Sequence, residues 1–265
     1  MVLCFHVILS HGGIDVEGFY QIAIYTLVGF FAQIIDGSLG MAYGVSSTTF
    51  LVAAGVSPKA ASAGVHTAEV FTTLVSGLSH WKAKNVDWSI FRRLVVPGVI
   101  GGALGAYLLI NIPGDVISPF VSVYLLVMGT VVLVRAFRGV KKNLLSGKQL
   151  IPVGLAGGFL DAIGGGGWGP IVTSTMVASG HPPRYTIGSV NTAEFFVTVV
   201  QSLTFSVFLG IGDYWRVILG LALGGVVAAP LAAIMCKKVP EKKMMVAVGA
   251  LIVLLNIRNL IMLFI

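Results

Sequence analysis

Charge is scarce in this chain: Asp, Glu, Lys and Arg make up 10% of its 265 residues, where a soluble domain carries about 25%. So few charged groups cannot cover a water-facing surface, and the mean hydropathy of +0.95 agrees. Cysteine is almost absent, and Cys4 and Cys236 are too few and too far apart for a disulfide framework or a metal cluster. The first dozen residues lack Lys and Arg, and no clear cleavage site follows, so Met1 to Gly13 is not expected to be a cleaved signal peptide. A His-Glu-x-x-His sequence and a nucleophile motif are also missing, which argues against an intramembrane enzyme, and no cofactor or metal motif is present.

What is present in quantity is apolar sequence, 56% of the chain. Runs of roughly 20 apolar residues recur from Phe19 nearly to the C-terminus, each able to cross a hydrocarbon core of about 30 Å. In lipid only helices or a closed barrel satisfy the backbone, and these runs lack the alternation of barrel strands. The sequence therefore predicts an all-α polytopic membrane protein. Ten helices are expected, over Phe19–Ile35, Met41–Ala54, Ala60–Ser79, Phe91–Ile112, Ile117–Ala136, Leu150–Ile163, Pro170–Ser179, Tyr185–Leu209, Tyr214–Met235 and Met244–Phe264; the second and seventh are short.

A net charge of +7 does not point to nucleic acid, because the basic residues sit in short loops between apolar runs. Thirteen of the 17 fall in three loops: Lys82, Lys84, Arg92 and Arg93; Arg135, Arg138, Lys141, Lys142 and Lys148; Lys237, Lys238, Lys242 and Lys243. The positive-inside rule makes all three cytoplasmic, which puts both termini and the acidic turns at Asp115 and Asp213 outside. Were the second and seventh helices re-entrant, the Lys82 loop would share a side with acidic Asp15, so the charges favour ten crossings of an inner membrane.

The chain also repeats itself. Asp36-Gly-Ser-Leu-Gly-Met-Ala-Tyr-Gly44 aligns with Asp161-Ala-Ile-Gly-Gly-Gly-Gly-Trp-Gly169 at an offset of 125 positions, and the register continues without a gap. It pairs Thr48 with Thr173, Gly55 with Gly180, Pro58 with Pro183, and His66-Thr-Ala-Glu69 with Asn191-Thr-Ala-Glu194. The expected organisation is an N-terminal extracytoplasmic segment (1–18), a first repeat (19–137), a basic linker (138–149) and a second repeat (150–265). Five helices per half is an odd number, so the halves should enter the membrane from opposite sides. Secondary transporters use such inverted repeats, with interrupted helices meeting near the midplane around the substrate.

The Gly-rich Asp161 to Pro170 opening, its weaker copy at Asp36 and the Asn191-Thr-Ala-Glu194 segment resemble the TauE/SafE family of sulfite exporters, from about Gly29 onward. The resemblance implies transport of small sulfur-containing anions such as sulfite, sulfoacetate or other organosulfonates, driven by the proton gradient. A passive anion channel, or a permease for another small solute, is the alternative. The expected partners are that anion, protons and the lipid bilayer.

Acids deep in apolar segments are costly and usually functional, and four of the ten fall there as two matched pairs, Asp36 with Asp161 and Glu69 with Glu194. These are the candidate proton-coupling residues. Ser62, His66, Glu69, Thr73 and Ser76 draw one polar stripe down the third helix, and Asn191, Glu194, Thr198 and Gln201 draw its mate on the eighth. Such groups could instead serve only to bond helix to helix. Carboxylates would repel an anionic cargo unless they carry protons when it binds.

The candidate substrate site comprises Gly40, Gly44, Thr48, His66, Thr67, Gly164, Gly165, Gly166, Trp168, Thr173, Asn191 and Thr192. Its rationale is that a helix start offers unpaired N–H groups and glycine lets an oxyanion approach them. Close packing through small residues is the competing account. The glycine run lacks the Lys-Ser/Thr ending of a nucleotide P-loop. Lys59 and Arg184, after the paired prolines, are read as interfacial anchors or gates, and Arg258 is left outside the core site.

Overall fold

The structure is a computed structural model, and it describes residues 16–137, 144–209, 214–236 and 241–262. The segment from Met1 to Gly13 with Cys4, and Asp15, Arg138, Lys141, Lys142, Asp213, Lys237 and Lys238, all used in the sequence analysis, lie outside the described residues. Ten α-helices run through the described chain: α1 (Val16–Leu39), α2 (Tyr43–Ala53), α3 (Pro58–Lys82), α4 (Trp88–Asn111), α5 (Gly114–Arg135), α6 (Gly147–Gly164), α7 (Ser174–Ala178), α8 (Pro183–Leu209), α9 (Trp215–Met235) and α10 (Glu241–Met262). A π-helical turn, Gly169–Thr173, leads into α7. There is no strand among the described residues.

Local chemistry sets the helix ends. Pro58 stands in the first turn of α3 behind Ser57, whose hydroxyl accepts from the Ala60 N–H, an arrangement proline tolerates because its missing N–H would be unpaired there. The Asp87 carboxylate accepts from Ser89 N (2.8 Å) and Ile90 N (3.3 Å) to start α4. Ser146 and Gln149 form a capping box at α6. Backbone shape repeats with the sequence: Gly40 and Gly165 hold φ of +68° and +67°, and Gly55 and Gly180 hold +90° and +102°.

Five helices are long and apolar enough to cross a bilayer: α1 from Gly18, α4, α5 from Val116, α8 and α9. The polar stripe of α3 is fully buried, while Phe71, Leu74 and Leu78 on its opposite side are exposed. Helix α8 likewise buries Asn191, Glu194, Thr198 and Gln201 and exposes Leu203, Val207 and Phe208. Polar groups inside and large apolar ones outside is the reverse of a soluble protein, and it identifies a multi-pass membrane protein.

Helix α1 packs on α9, α4 on α6, α3 on α8, and α5 on α10, with α3/α9 and α4/α8 completing the core. Exchanging α1–α5 with α6–α10 turns α1/α9 into α6/α4 and α3/α9 into α8/α4, both of which are present. Along α3, the positions Thr67, Thr73 and Ser76 meet Ser202, Thr198 and Asn191 on α8, so these two equivalent helices run antiparallel.

Without a hydrophobic drive between helices in lipid, close backbone approach supplies the packing energy. The α4/α6 contact is the clearest case: a Cβ on Gly101 would stand 2.1 Å from Leu155 O, and one on Gly158 would stand 2.2 Å from Gly98 O. The α1/α9 contact matches it, with Gly224 against Thr26 O and Gly29 against Leu221 O. Gly158→Ala is expected to cost about 1–3 kcal/mol through overpacking. Gly64→Ala, where the nearest neighbour is Val217 Cγ1 at 3.5 Å, should stay within about 0.5 kcal/mol of the parent. Thermal unfolding in detergent compares the two, and equal effects would contradict this account of the contact.

Candidate functional site

Two helices break inside the bundle, and the breaks touch. Helix α1 ends at Leu39, and Gly40 and Ala42 adopt positive φ of +68° and +89° before α2 begins. Helix α6 ends at Gly164, and Gly165 and Gly166 at +67° and +155° turn the chain toward Gly169. A Cβ on Gly44 would lie 2.7 Å from Gly166 Cα, and one on Gly169 would lie 2.4 Å from Met41 Cα. These two contacts are the same contact seen from each half. Thr48 donates to Gly165 O, while its mate Thr173 lies against Gly40, its hydroxyl 3.1 Å from where a Cβ would stand, and has no hydrogen-bond partner among the described residues.

Breaking a helix in a low-dielectric core frees N–H groups that need acceptors. In the second half Asp161 supplies one: its Oδ1 accepts from Gly167 N (2.6 Å) and Trp168 N (2.9 Å). Gln201 Nε2 donates to the other oxygen at 2.9 Å. Asp36 has the matching bond from the Tyr43 N–H in the first half. The place where the sequence argument put an incoming oxyanion is thus held by the protein's own carboxylate in this conformation. Packing accounts for the neighbouring glycines: a side chain on Gly164 or Gly167 would strike the Tyr124 ring or its hydroxyl, which donates to Gly166 O at 3.0 Å.

Beside the crossing stands a buried cluster of ionisable groups. His66 Nδ1 lies 2.7 Å from Glu69 Oε2 and 3.8 Å from Asp161 Oδ2. Its Nε2 lies 3.2 Å from Asp161 O, and its ring stacks on Phe205 with centroids 6.1 Å apart. Asp36, Glu69, Asp161 and Glu194 are all buried, and Glu194 interacts electrostatically with the other three. The four acids, read from the sequence as two matched pairs, form one group here.

The remaining candidates take mainly structural positions. Asn191 accepts from Ser76 at 2.7 Å. Thr67 and Thr192 donate to carbonyls of their own helices, Ala63 O and Gly188 O. Trp168 is fully buried, gives its indole N–H to Val190 O at 3.1 Å, and packs its ring on Gly98. Its mate Tyr43 does the same with its hydroxyl to Leu221 O. Lys59 and Arg184 reach backbone carbonyls, Ile110 O and Ala83 O.

The sulfite exporter TauE/SafE family pattern matches residues 25–259. The chain belongs to this family. It is also 45% identical over 249 residues to the probable membrane transporter protein YtnM of Bacillus subtilis strain 168, covering 91% of this chain and 83% of that protein. No solved structure matches it.

Sequence reasoning missed Tyr124 and Phe205, whereas Ser62, which donates to Ala162 O at 2.7 Å, was already marked. Ser62 was on the polar stripe. Nothing marked Tyr124 or Phe205, because apolar positions on long helices look alike until a fold brings them together.

Asp161→Ala would strand the Gly167 and Trp168 N–H groups, each at about 1–3 kcal/mol. Asp161→Asn keeps an acceptor for both, and Gln201 can turn its Oε1, which has no partner among the described residues, toward the new amide. Thermal unfolding should therefore rank parent, Asn and Ala in falling stability; an Asn variant as unstable as Ala would remove the capping role.

Proposed function

We propose that this chain is a proton-coupled secondary transporter of small sulfur-containing anions, such as sulfite or an organosulfonate like sulfoacetate, across the cell inner membrane. The halves are read as inverted repeats of five helices crossing the membrane ten times, with both termini outside. The antiparallel α3/α8 pair supports inversion, since equivalent helices of same-way repeats would run parallel. The basic loops support the orientation.

The observation that carries the reading is the meeting of two broken helices beside four buried acids and a histidine. Buried ionisable groups at such a junction mark ion and substrate pathways in transporters. The TauE/SafE family name and the transporter relative support it from outside the geometry. An anion can share this space only when the acids hold protons, because the repulsion of like charges is large away from water. Anion and proton then move together, and rocking of one half against the other would expose the crossing to each face in turn.

Uptake of labelled sulfite, sulfoacetate, taurine and sulfate into proteoliposomes, with and without an imposed pH gradient, tests this. The expected result is accumulation of a sulfur oxyanion that follows the gradient, where a channel would only equilibrate it. In Glu194→Gln that dependence on the gradient should disappear; if it persists unchanged, Glu194 has no part in proton coupling.

A further inference from the structure

The central acids and His66 line neither of two cavities that approach the crossing from opposite ends of the bundle. One, of about 870 Å3, lies between α5, α7 and α10, with Arg135, Ser174, Thr175 and Lys242 set in walls such as Val131 and Met245. The other, of about 590 Å3, lies where α2 ends, with Lys59, Ser118, Ser122, Arg258 and Asn259 beside Val52 and Val56. Exchanging the halves converts α2, α5 and α10 into α7, α10 and α5, so the two cavities are counterparts. Each holds one guanidinium, from α5 in the first and from α10 in the second.

Both arginines grip the short helix of their own cavity. Arg135 Nη1 donates to Ser174 Oγ at 3.1 Å and stands 3.7 Å from the sulfur of Met41, a residue of the crossing itself. Arg258 Nη1 donates to Ala53 O at 3.2 Å, at the end of the helix whose Thr48 holds Gly165. Asn256 ties α10 to the same helix through Thr49 at 3.0 Å. A planar guanidinium carries five N–H donors in a fork that matches an oxyanion, and each cavity presents one beside its short helix.

We infer that these two cavities are the docking sites of the transported anion on the two faces of the membrane, with Arg135 its ligand on the cytoplasmic side and Arg258 on the outer side. The inference rests on the transport function proposed above and deepens it. Walls rich in aliphatic groups around an arginine, a lysine and a few hydroxyls fit an anion with a compact charged head and a short apolar body, an alkylsulfonate in preference to sulfate. Because each arginine also holds a short helix, an anion that engages it acts directly on one side of the crossing.

Initial rates of ethanesulfonate uptake into right-side-out and inside-out membrane vesicles separate the two sites. Arg135→Gln should raise KM about tenfold or more from the cytoplasmic face, the loss expected for one charged hydrogen bond, and leave the outer face within about twofold of the parent. Arg258→Gln should do the reverse. Arg135→Lys, which keeps the charge and loses the fork, should fall between parent and Gln on the cytoplasmic face, and serves if the Gln variant does not fold. Equal effects on both faces, or none, would overturn the inference while leaving parental transport intact. No sulfonate flux in the parent from either face would end it together with the function it rests on. Competition by sulfate as strong as by ethanesulfonate would refute the alkylsulfonate preference. Loss of ethanesulfonate binding when anionic phospholipid is added to zwitterionic nanodiscs would reassign the cavities to lipid headgroups.

Discussion

A backbone N–H released inside the membrane has no water to turn to, and this requirement organises the centre of the protein. Breaking α1 and α6 produces such groups, and the carboxylates of Asp36 and Asp161, a turn or two upstream, take them up. Because the acids must reach back over the break, the chain has to fold tightly there. That calls for the left-handed backbone of Gly40 and Gly165 and for the small residues that let the two turns touch. The ionisable cluster is then a neighbour of the break by construction: Gln201 donates to Asp161, and His66 lies between Asp161 and Glu69.

Much of this was legible in the sequence, for reasons that can be named. Apolar length and turn chemistry placed α1 to α10 with small errors at their ends. The stripe on α3 stood out because polar residues at helical spacing have no other reason to line up in lipid, and every member is buried. The duplication made α3 and α8 partners before any contact was known, since copies of one helix tend to meet near an axis of exchange.

The errors have physical causes too. Helix α2 begins at Tyr43 rather than Met41 because Ala42 is left-handed, a conformation no side-chain preference announces. The seventh segment is partly π-helical, which hydrophobic spacing does not distinguish from α. For the glycine run, a sequence does not reveal that Asp161 folds back into it or that Tyr124, forty residues earlier, packs against it. Arg135 was counted as a topology marker and Arg258 set aside, yet both bond to the short helices. A charge at the end of an apolar run carries no sign of which way its side chain turns.

Thr73 and Thr198 occupy the same place in the two copies and face each other, hydroxyl to hydroxyl, at 3.3 Å. A residue that meets its own duplicate must be compatible with itself, and a hydroxyl qualifies because it both gives and takes a proton. Lysine or glutamate there would have confronted its twin with the same sign. Away from that meeting point the restriction lifts, and the copies can differ: Ser76 donates to Asn191, while the counterparts of these two positions are Gln201 and His66. Divergence between the halves is in this sense confined by geometry: the closer a position lies to its own image, the less room it has to change alone.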